Sequence, residues 1–281
     1  MSSQFPEATT ERVAELKDNV QGINDEITQA AQSVGRANPR LVLVSKLKPP
    51  SDILGVHQAT GHKRFGENYI QELVEKSQVL PQEIEWHFIG ALQSNKCKTL
   101  ASIPNLKVLE TLDSIKKADA LERTLASAEP KQRQLHVFLQ VNTSAEDVKS
   151  GLPALEAPVD ALAEGTSTDN VPALAKHVVE KCPHLKLTGL MTIGSWEASH
   201  DQQDQENPDF VKLTQTRNHL ATYLGVSSES LELSMGMSAD FVQATKQGSD
   251  NVRVGSKAFG SRPSKEEAKA QREQEKGSKS G

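Results

Sequence analysis

The sequence predicts an α/β protein built as a single (β/α)8 TIM barrel with an extra N-terminal helix. Three observations carry this expectation. Short apolar segments of strand character alternate with helix-like segments along the chain, and strict alternation implies parallel pairing through helical crossovers. Eight such strands fall within 281 residues, a length that suits one barrel of about 250 residues. No G-x-G-x-x-G follows the first strand, which argues against an open dinucleotide-binding sheet.

The elements read in order as follows. Val13, Leu16, Val20, Ile23 and Ile27 recur at helical spacing ahead of the first strand and define the extra amphipathic helix. Strands are expected at Leu41–Lys46, Arg64–Glu67, Trp86–Gly90, Lys107–Leu112, His136–Asn142, Leu187–Ile193, Glu232–Met237 and Val252–Gly255. Helices fit between them at Ser51–Thr60, Tyr69–Leu80, Ser94–Ala101, Ser114–Ala128, Val171–Lys181, Pro208–Leu224 and Ala239–Gln247. Ser51-Asp52, Ser114 and Ser238 are candidate N-caps, and Pro208 suits a first helical turn. Two polar stretches, Ala145–Asn170 and Trp196–Asn207, read as insertions. The expected organisation is a disordered segment 1–8, a barrel 9–262, and a charged, disordered tail 263–281 that lacks an apolar stripe.

Composition narrows the class. A formal net charge of −5 argues against nucleic acid as a partner, and no stretch approaches membrane-span length. Cys97 and Cys182 form no metal-ligand pattern, which suits structural thiols in a reducing compartment. The N-terminus lacks the features of a secretion signal, and Glu7 and Glu11 disfavour a transit peptide. The cytoplasm is therefore expected, with a mitochondrial pool left open. No oligomer seam is visible, so a monomer is expected.

The chemistry starts at Lys46, which ends the segment Leu41-Val42-Leu43-Val44-Ser45-Lys46. Alternation places Val42, Val44 and Lys46 on one face. An ammonium facing an interior needs an anion or becomes a Schiff base. A lysine just past a strand also reaches solvent along its stem, and this segment alone favours that reading. At the other end of the chain, Arg253 and Gly255 alternate with Val252 and Val254. If the valines meet the outer helices, the guanidinium points inward, where it must find acceptors. Gly255 beside Ser256 allows backbone N–H groups to approach an anion closely. Barrel closure makes the first and last strands neighbours, so two inward cations and an anion loop suggest a phosphorylated aldehyde cofactor, for which pyridoxal 5′-phosphate is suited.

Specific motifs carry a family resemblance. They are Val44-Ser45-Lys46-Leu47-Lys48-Pro49, Phe65-Gly66-Glu67-Asn68-Tyr69, the segment Trp86 to Lys96, Gly189-Leu190-Met191-Thr192-Ile193-Gly194, the segment Leu233 to Phe241, and Val252-Arg253-Val254-Gly255-Ser256. Through them the chain resembles the pyridoxal phosphate homeostasis proteins, also called proline synthase co-transcribed homologues. The resemblance implies a barrel like the N-terminal domain of alanine racemase, with the cofactor held as an internal aldimine on Lys46. It also places Asn68 beside the cofactor, Ser238, Gly255 and Ser256 on its phosphate, and Arg253 opposite its pyridine nitrogen. A cation at that nitrogen disfavours protonation and leaves the ring a weak electron sink.

Two departures from alanine racemase bear on activity. Those enzymes take a second base, a tyrosine, from a further domain that this sequence is not expected to supply, and Pro50 stands where they place a phosphate-binding tyrosine. A missing proton-transfer group removes about 10²–10⁴-fold. The expected role is thus a cofactor carrier in vitamin B6 homeostasis and supply, with pyridoxal phosphate-dependent apoenzymes as partners. The alternatives are an amino-acid racemase of narrow substrate range and a phosphate-ligand barrel using Lys46 as an ammonium. Against its own family the chain has Ala145 where glycine is usual and Ser256 where threonine is common. Asn95 and Lys96 are read equally as anion contacts or as a helix cap and a solvated lysine. His87 reads as structural, Met235 and Met237 as space-filling, Lys257 as a surface lysine, and Glu67 and Asp240 as charge partners for Lys46 or Arg253.

Overall fold

The computed structural model describes residues 5–128, 133–144, 146, 150–159, 170–200 and 206–260. The expected tail 263–281, Ala145 with most of the first insertion, residues 201–205 of the second, and residues 1–4 lie outside the described residues.

The polypeptide starts with α1 (Thr10–Ser33), where the Thr9 side chain accepts from Arg12 N–H and Leu16, Val20, Ile23 and Ile27 are buried. Eight strands then form the barrel wall: β1 (Arg40–Val44), β2 (Arg64–Glu67), β3 (Glu85–Phe88), β4 (Leu106–Leu112), β5 (Leu135–Asn142), β7 (Leu185–Met191), β8 (Glu232–Ser234) and β9 (Asn251–Val254). A two-residue strand, β6 (Leu152–Pro153), adds to β5. Every pairing is parallel, β4 meets β5, and β1 meets β9 with Val42 opposite Arg253, so the wall closes on itself.

Helices cover the outside: α2 (Pro50–Thr60), α3 (Ile70–Val79), α4 (Cys97–Ala101), α5 (Ile115–Ala126), α6 (Val171–Lys181), α7 (Trp196–His200), α8 (Pro208–Leu224), α9 (Phe241–Lys246) and α10 (Ser256–Phe259). Local signals account for several boundaries. Proline occupies the first turn of α2, α6 and α8, where its missing N–H costs nothing. Gly61 and Gly225 end α2 and α8 in the left-handed region at φ 70° and 66°. The extra helix α1 packs on α2, α9 and α10 and so straps the β1–β9 seam. Arg12 reinforces it, donating to Asp52 of α2 at 2.8 Å and to the Phe259 carbonyl of α10 at 2.9 Å.

The core has two compartments. Leu41, Leu43, Phe65, Trp86, Phe88, Leu233, Val252 and Val254 belong to the apolar layer between wall and helices. Val42 and Val44 take the other face, where Val42 Cγ1 stands 3.1 Å from where a Cβ on Gly66 would be. Val252 and Val254 therefore do lie outward, and Arg253 lies inward among polar groups.

Several boundaries differ from the sequence reading, each for a local reason. β1 stops at Val44 and Lys46 falls in a turn, because Leu47 adopts φ 61° and gives its N–H to Glu72 Oε1 at 2.7 Å. β8 stops at Ser234, and Gly236 at φ 94° ends the extended run. The helix after β3 divides into a 3-10 turn, Ser94–Lys96, followed by α4, and Asn95 and Lys96 are exposed on that turn. Asp240, not Ser238, precedes α9, and α2 begins at Pro50 ahead of Ser51. Ser114 precedes α5 without capping it through its side chain.

Candidate functional site

The expected residues gather at the C-terminal ends of the strands, the face on which barrels of this kind place their chemistry. The β1–β9 register brings Val44 beside Gly255, where an added Cβ would sit 3.2 Å from both Val44 Cβ and the Val44 carbonyl oxygen. A side chain here would press on Val44, so glycine eases the approach of the two backbones at this height. Gly255 N–H donates to Ser238 Oγ at 3.0 Å, which ties the β8–α9 loop to the β9–α10 loop. Ser256 follows, exposed, at the start of α10. Lys46 stands half-buried two residues beyond Val44.

Arg253 is 3% exposed inside the barrel. Its guanidinium donates to Ser234 Oγ at 2.5 Å and to the Thr192 carbonyl at 2.7 Å, with Glu110 Oε2 at 3.6 Å. Burial pulls its pKa down, while Glu110 and Asp240 oppose that pull. Glu110 is fully buried, and burial raises its pKa. Bonds from His87 and Ser234 and the charge of Arg253 outweigh burial and leave it below the ordinary carboxylate value. Ser234 links the group: it donates to Glu110 at 2.6 Å and accepts from both Arg253 and Asn251. Glu110 also binds His87 Nδ1 at 2.7 Å and Asn251 at 3.0 Å. His87 is therefore structural, as its apolar neighbours suggest. A buried cation held this way keeps its position, because any displacement leaves a carboxylate and two amide or hydroxyl groups short of partners.

A second buried polar group stands behind Lys46. Lys76 of α3 donates to the Ser45 carbonyl at 2.8 Å, to Glu67 Oε1 at 2.7 Å and to Glu72 Oε1 at 2.7 Å. Ser45 Oγ also donates to Glu67, at 2.7 Å. Glu72 receives the Leu47 N–H, so the residues on both sides of Lys46 are fixed to one cluster. Burial raises the Glu67 pKa to about 7 against the opposing pull of Lys76.

A cavity of about 250 Å³ opens beside these groups, lined by Asn68, Gly90, Thr111, Gln140 and Thr192 among others. Of the expected site residues only Asn68 lines it, and Arg253 reaches its wall through the Thr192 carbonyl. Asn68 Oδ1 is buried without a hydrogen-bond partner, an acceptor that a donor-bearing ligand would satisfy.

The charge-partner expectation holds for Asp240, whose charge acts on Arg253, and needs correction for Glu67. Glu67 takes Lys76 and Ser45, and Asp240 accepts from Met237 N–H at 2.6 Å and Ser199 Oγ at 2.5 Å. The carboxylate nearest Arg253 is Glu110, which sequence reasoning missed together with Ser234, Asn251 and Lys76. Alternation along β4 from Val108 to Glu110 was the available signal for an inward acid. Lys257 is the surface lysine expected, bound to Glu26 at 2.6 Å and 5.1 Å from the Phe241 ring centre.

Among the described residues no helix is long and apolar enough to cross a membrane. A family profile for the N-terminal domain of alanine racemase matches residues 19–263. The chain is 42% identical over 252 residues to the pyridoxal phosphate homeostasis protein of Bos taurus, covering 86% of each. It is 43% identical over 236 residues to that of Schizosaccharomyces pombe, covering 84% of this chain and 90% of the relative. Among solved structures it superimposes on PipY of Synechococcus elongatus, determined with PLP bound, with a TM-score of 0.62 and 23% identity over 87% of this chain and 100% of that one. That last likeness concerns the fold. With a racemase-type barrel, a polar mouth and these relatives, the chain belongs to the pyridoxal phosphate homeostasis protein family.

Proposed function

We propose that this protein binds pyridoxal 5′-phosphate at the barrel mouth and acts in vitamin B6 homeostasis, holding the cofactor in a releasable form for apoenzymes that depend on it. The observation that carries the reading is the convergence of the chain's two ends. Parallel pairing of β1 with β9 sets the Lys46 turn beside Gly255, above an Arg253 guanidinium buried in the barrel.

The residues present fit the group. The orphaned Asn68 Oδ1, the glycine-lined approach at Gly255 and the inward cation are the features a phosphorylated pyridine aldehyde needs. When bound, such a cofactor supplies an aldehyde that an amine captures reversibly with loss of water. In this reading Lys46 provides the amine, Ser238, Gly255 and Ser256 hold the phosphate, Arg253 faces the ring nitrogen and Asn68 lies alongside. Arg253 cannot give up its proton, so it disfavours a second positive charge on the ring. Retention is thereby favoured over carbanion chemistry.

The test is borohydride reduction of the protein after incubation with pyridoxal phosphate, followed by peptide mass mapping. A phosphopyridoxyl adduct on Lys46, a visible absorbance band lost in Lys46→Ala, and activation of a cofactor-free acceptor enzyme are expected. An adduct spread over surface lysines, with Lys46 unmodified, refutes the assignment.

A further inference from the structure

On the opposite side of the barrel from the mouth, metal-ligating side chains of a different kind collect where α6 ends and β7 begins. Asp119 of α5, His177 of α6 and Cys182 just past α6 present ligand atoms that all lie within 4.8 Å of one another. We propose that Asp119, His177 and Cys182 form a zinc-binding site that joins α5 to the α6–β7 turn, with water as the fourth ligand.

The chemistry of the donors selects the ion. A thiol with an imidazole and one carboxylate oxygen is a borderline-soft set, suited to zinc and unsuited to magnesium or calcium, which take oxygen ligands. Zinc bonds of about 2.0–2.3 Å place tetrahedral ligands roughly 3.3–3.8 Å apart. His177 Nε2 is 2.7 Å from Asp119 Oδ1, so that pair opens slightly as the thiol closes in.

The surroundings favour a cation there. His184 and Glu122 flank the trio, with His184 Nδ1 2.6 Å from Glu122 Oε1 and His184 N–H donating to Glu122 Oε2 at 2.9 Å. Cys182 is 1% exposed. The negative charges of Glu122 and Asp119 act on it and favour a dication there. On binding, the S–H bond breaks, the sulfur electron pair forms the Zn–S bond and the proton passes to solvent, so affinity rises with pH. The position explains the role. Active sites occupy the C-terminal face of such barrels, and the face where strands begin serves stability.

The experiment uses the full chain, chelator-treated, reduced and free of any polyhistidine tag. Titration with Co²⁺ is expected to reach one ion per chain and to give a near-ultraviolet sulfur-to-cobalt charge-transfer band in the difference spectrum. Cys182→Ser and Cys182→Ala are expected to abolish the band, while Cys97→Ser keeps it. Competition with a chromophoric chelator should show zinc binding weakened at least tenfold in Asp119→Asn and in His177→Gln. Zinc at a hundredfold excess over Kd should raise Tm by about 5 °C. Unaltered cobalt spectra in both Cys182 variants, or no bound ion in the folded parent protein, overturn the proposal. If the Cys182 variants unfold, the Asp119→Asn competition decides by itself, and undiminished affinity there refutes the site.

Discussion

Replacing Lys76 with methionine tests whether the buried cluster behind Lys46 governs both stability and cofactor retention. Methionine keeps the aliphatic stem and removes three donated bonds, to the Ser45 carbonyl, Glu67 and Glu72. Glu67, already raised to about 7, loses its nearest cation. Buried glutamates without one reach pKa values of about 8–9. At pH 7 Glu67 is then held as the neutral acid, with its ionised form about 1–3 kcal/mol higher. The Ser45 carbonyl, left without this donor, costs about 1–2 kcal/mol. The total loss is expected in the usual range for breaking a buried pair from one side, about 3–5 kcal/mol. Equilibrium urea unfolding measures it directly, provided the denaturant slope is unchanged. The double variant Lys76→Met with Glu67→Met should recover more than about 1 kcal/mol of the loss, since two apolar side chains leave no stranded charge. Because Ser45 and Leu47 flank Lys46, Lys76→Met should also release pyridoxal phosphate faster, read as decay of the visible band on gel filtration. A loss of stability below about 1 kcal/mol, with unchanged retention, would refute the reasoning.

Other perturbations follow from the same geometry. The folded pKa of Glu67 is raised from 4.5 to about 7, so the native state binds this proton more tightly than the unfolded chain. Its stabilising contribution is complete below pH 4.5 and is lost as pH rises through 7, by about 3 kcal/mol. Glu67→Gln should flatten that part of the stability–pH curve, and parallel curves for variant and parent would sink the assignment. Glu110→Leu strands Arg253, which sits 3.6 Å from Glu110 Oε2, and should cost about 3–5 kcal/mol in urea unfolding. Gly90→Ala would put a Cβ 1.9 Å from the Asn68 carbonyl oxygen, so the backbone must move. Weaker pyridoxal phosphate binding, measured by fluorescence titration, is expected before any change in secondary structure by circular dichroism.

Much of the architecture is legible in the sequence because barrel strands and their helices differ in period. Most of the strands, the strap helix and the inward turn of Arg253 follow from where apolar residues recur. The boundaries that were misread belong to residues whose conformation answers to distant partners. β1 ends before Ser45 and Lys46, where Leu47 turns to give its N–H to Glu72, 25 positions on. Ser238 reads as a helix cap by type, yet it accepts from Gly255 N–H across 17 positions. The polar interior was harder still. Glu110 resembles any charged residue near the end of a strand until β8 and β9 bring Ser234, Asn251 and Arg253 against it. Lys76 lies on the apolar face of α3, three residues after Leu73 and four before Leu80, but its residue type reads as solvent-seeking.

The closing seam has a consequence for synthesis. Arg40 is paired with Asn251, so the edge of β1 waits for 211 further residues before its neighbour exists. At ribosomal rates of about 5–20 residues per second, the interval is roughly 10–40 s. Throughout it an unpaired strand edge and the apolar stripe of α1 are open to wrong partners. No nascent fragment that stops short of β9 holds both halves of the proposed cradle. Loading with vitamin B6 would thus report a chain made at least through Ser256.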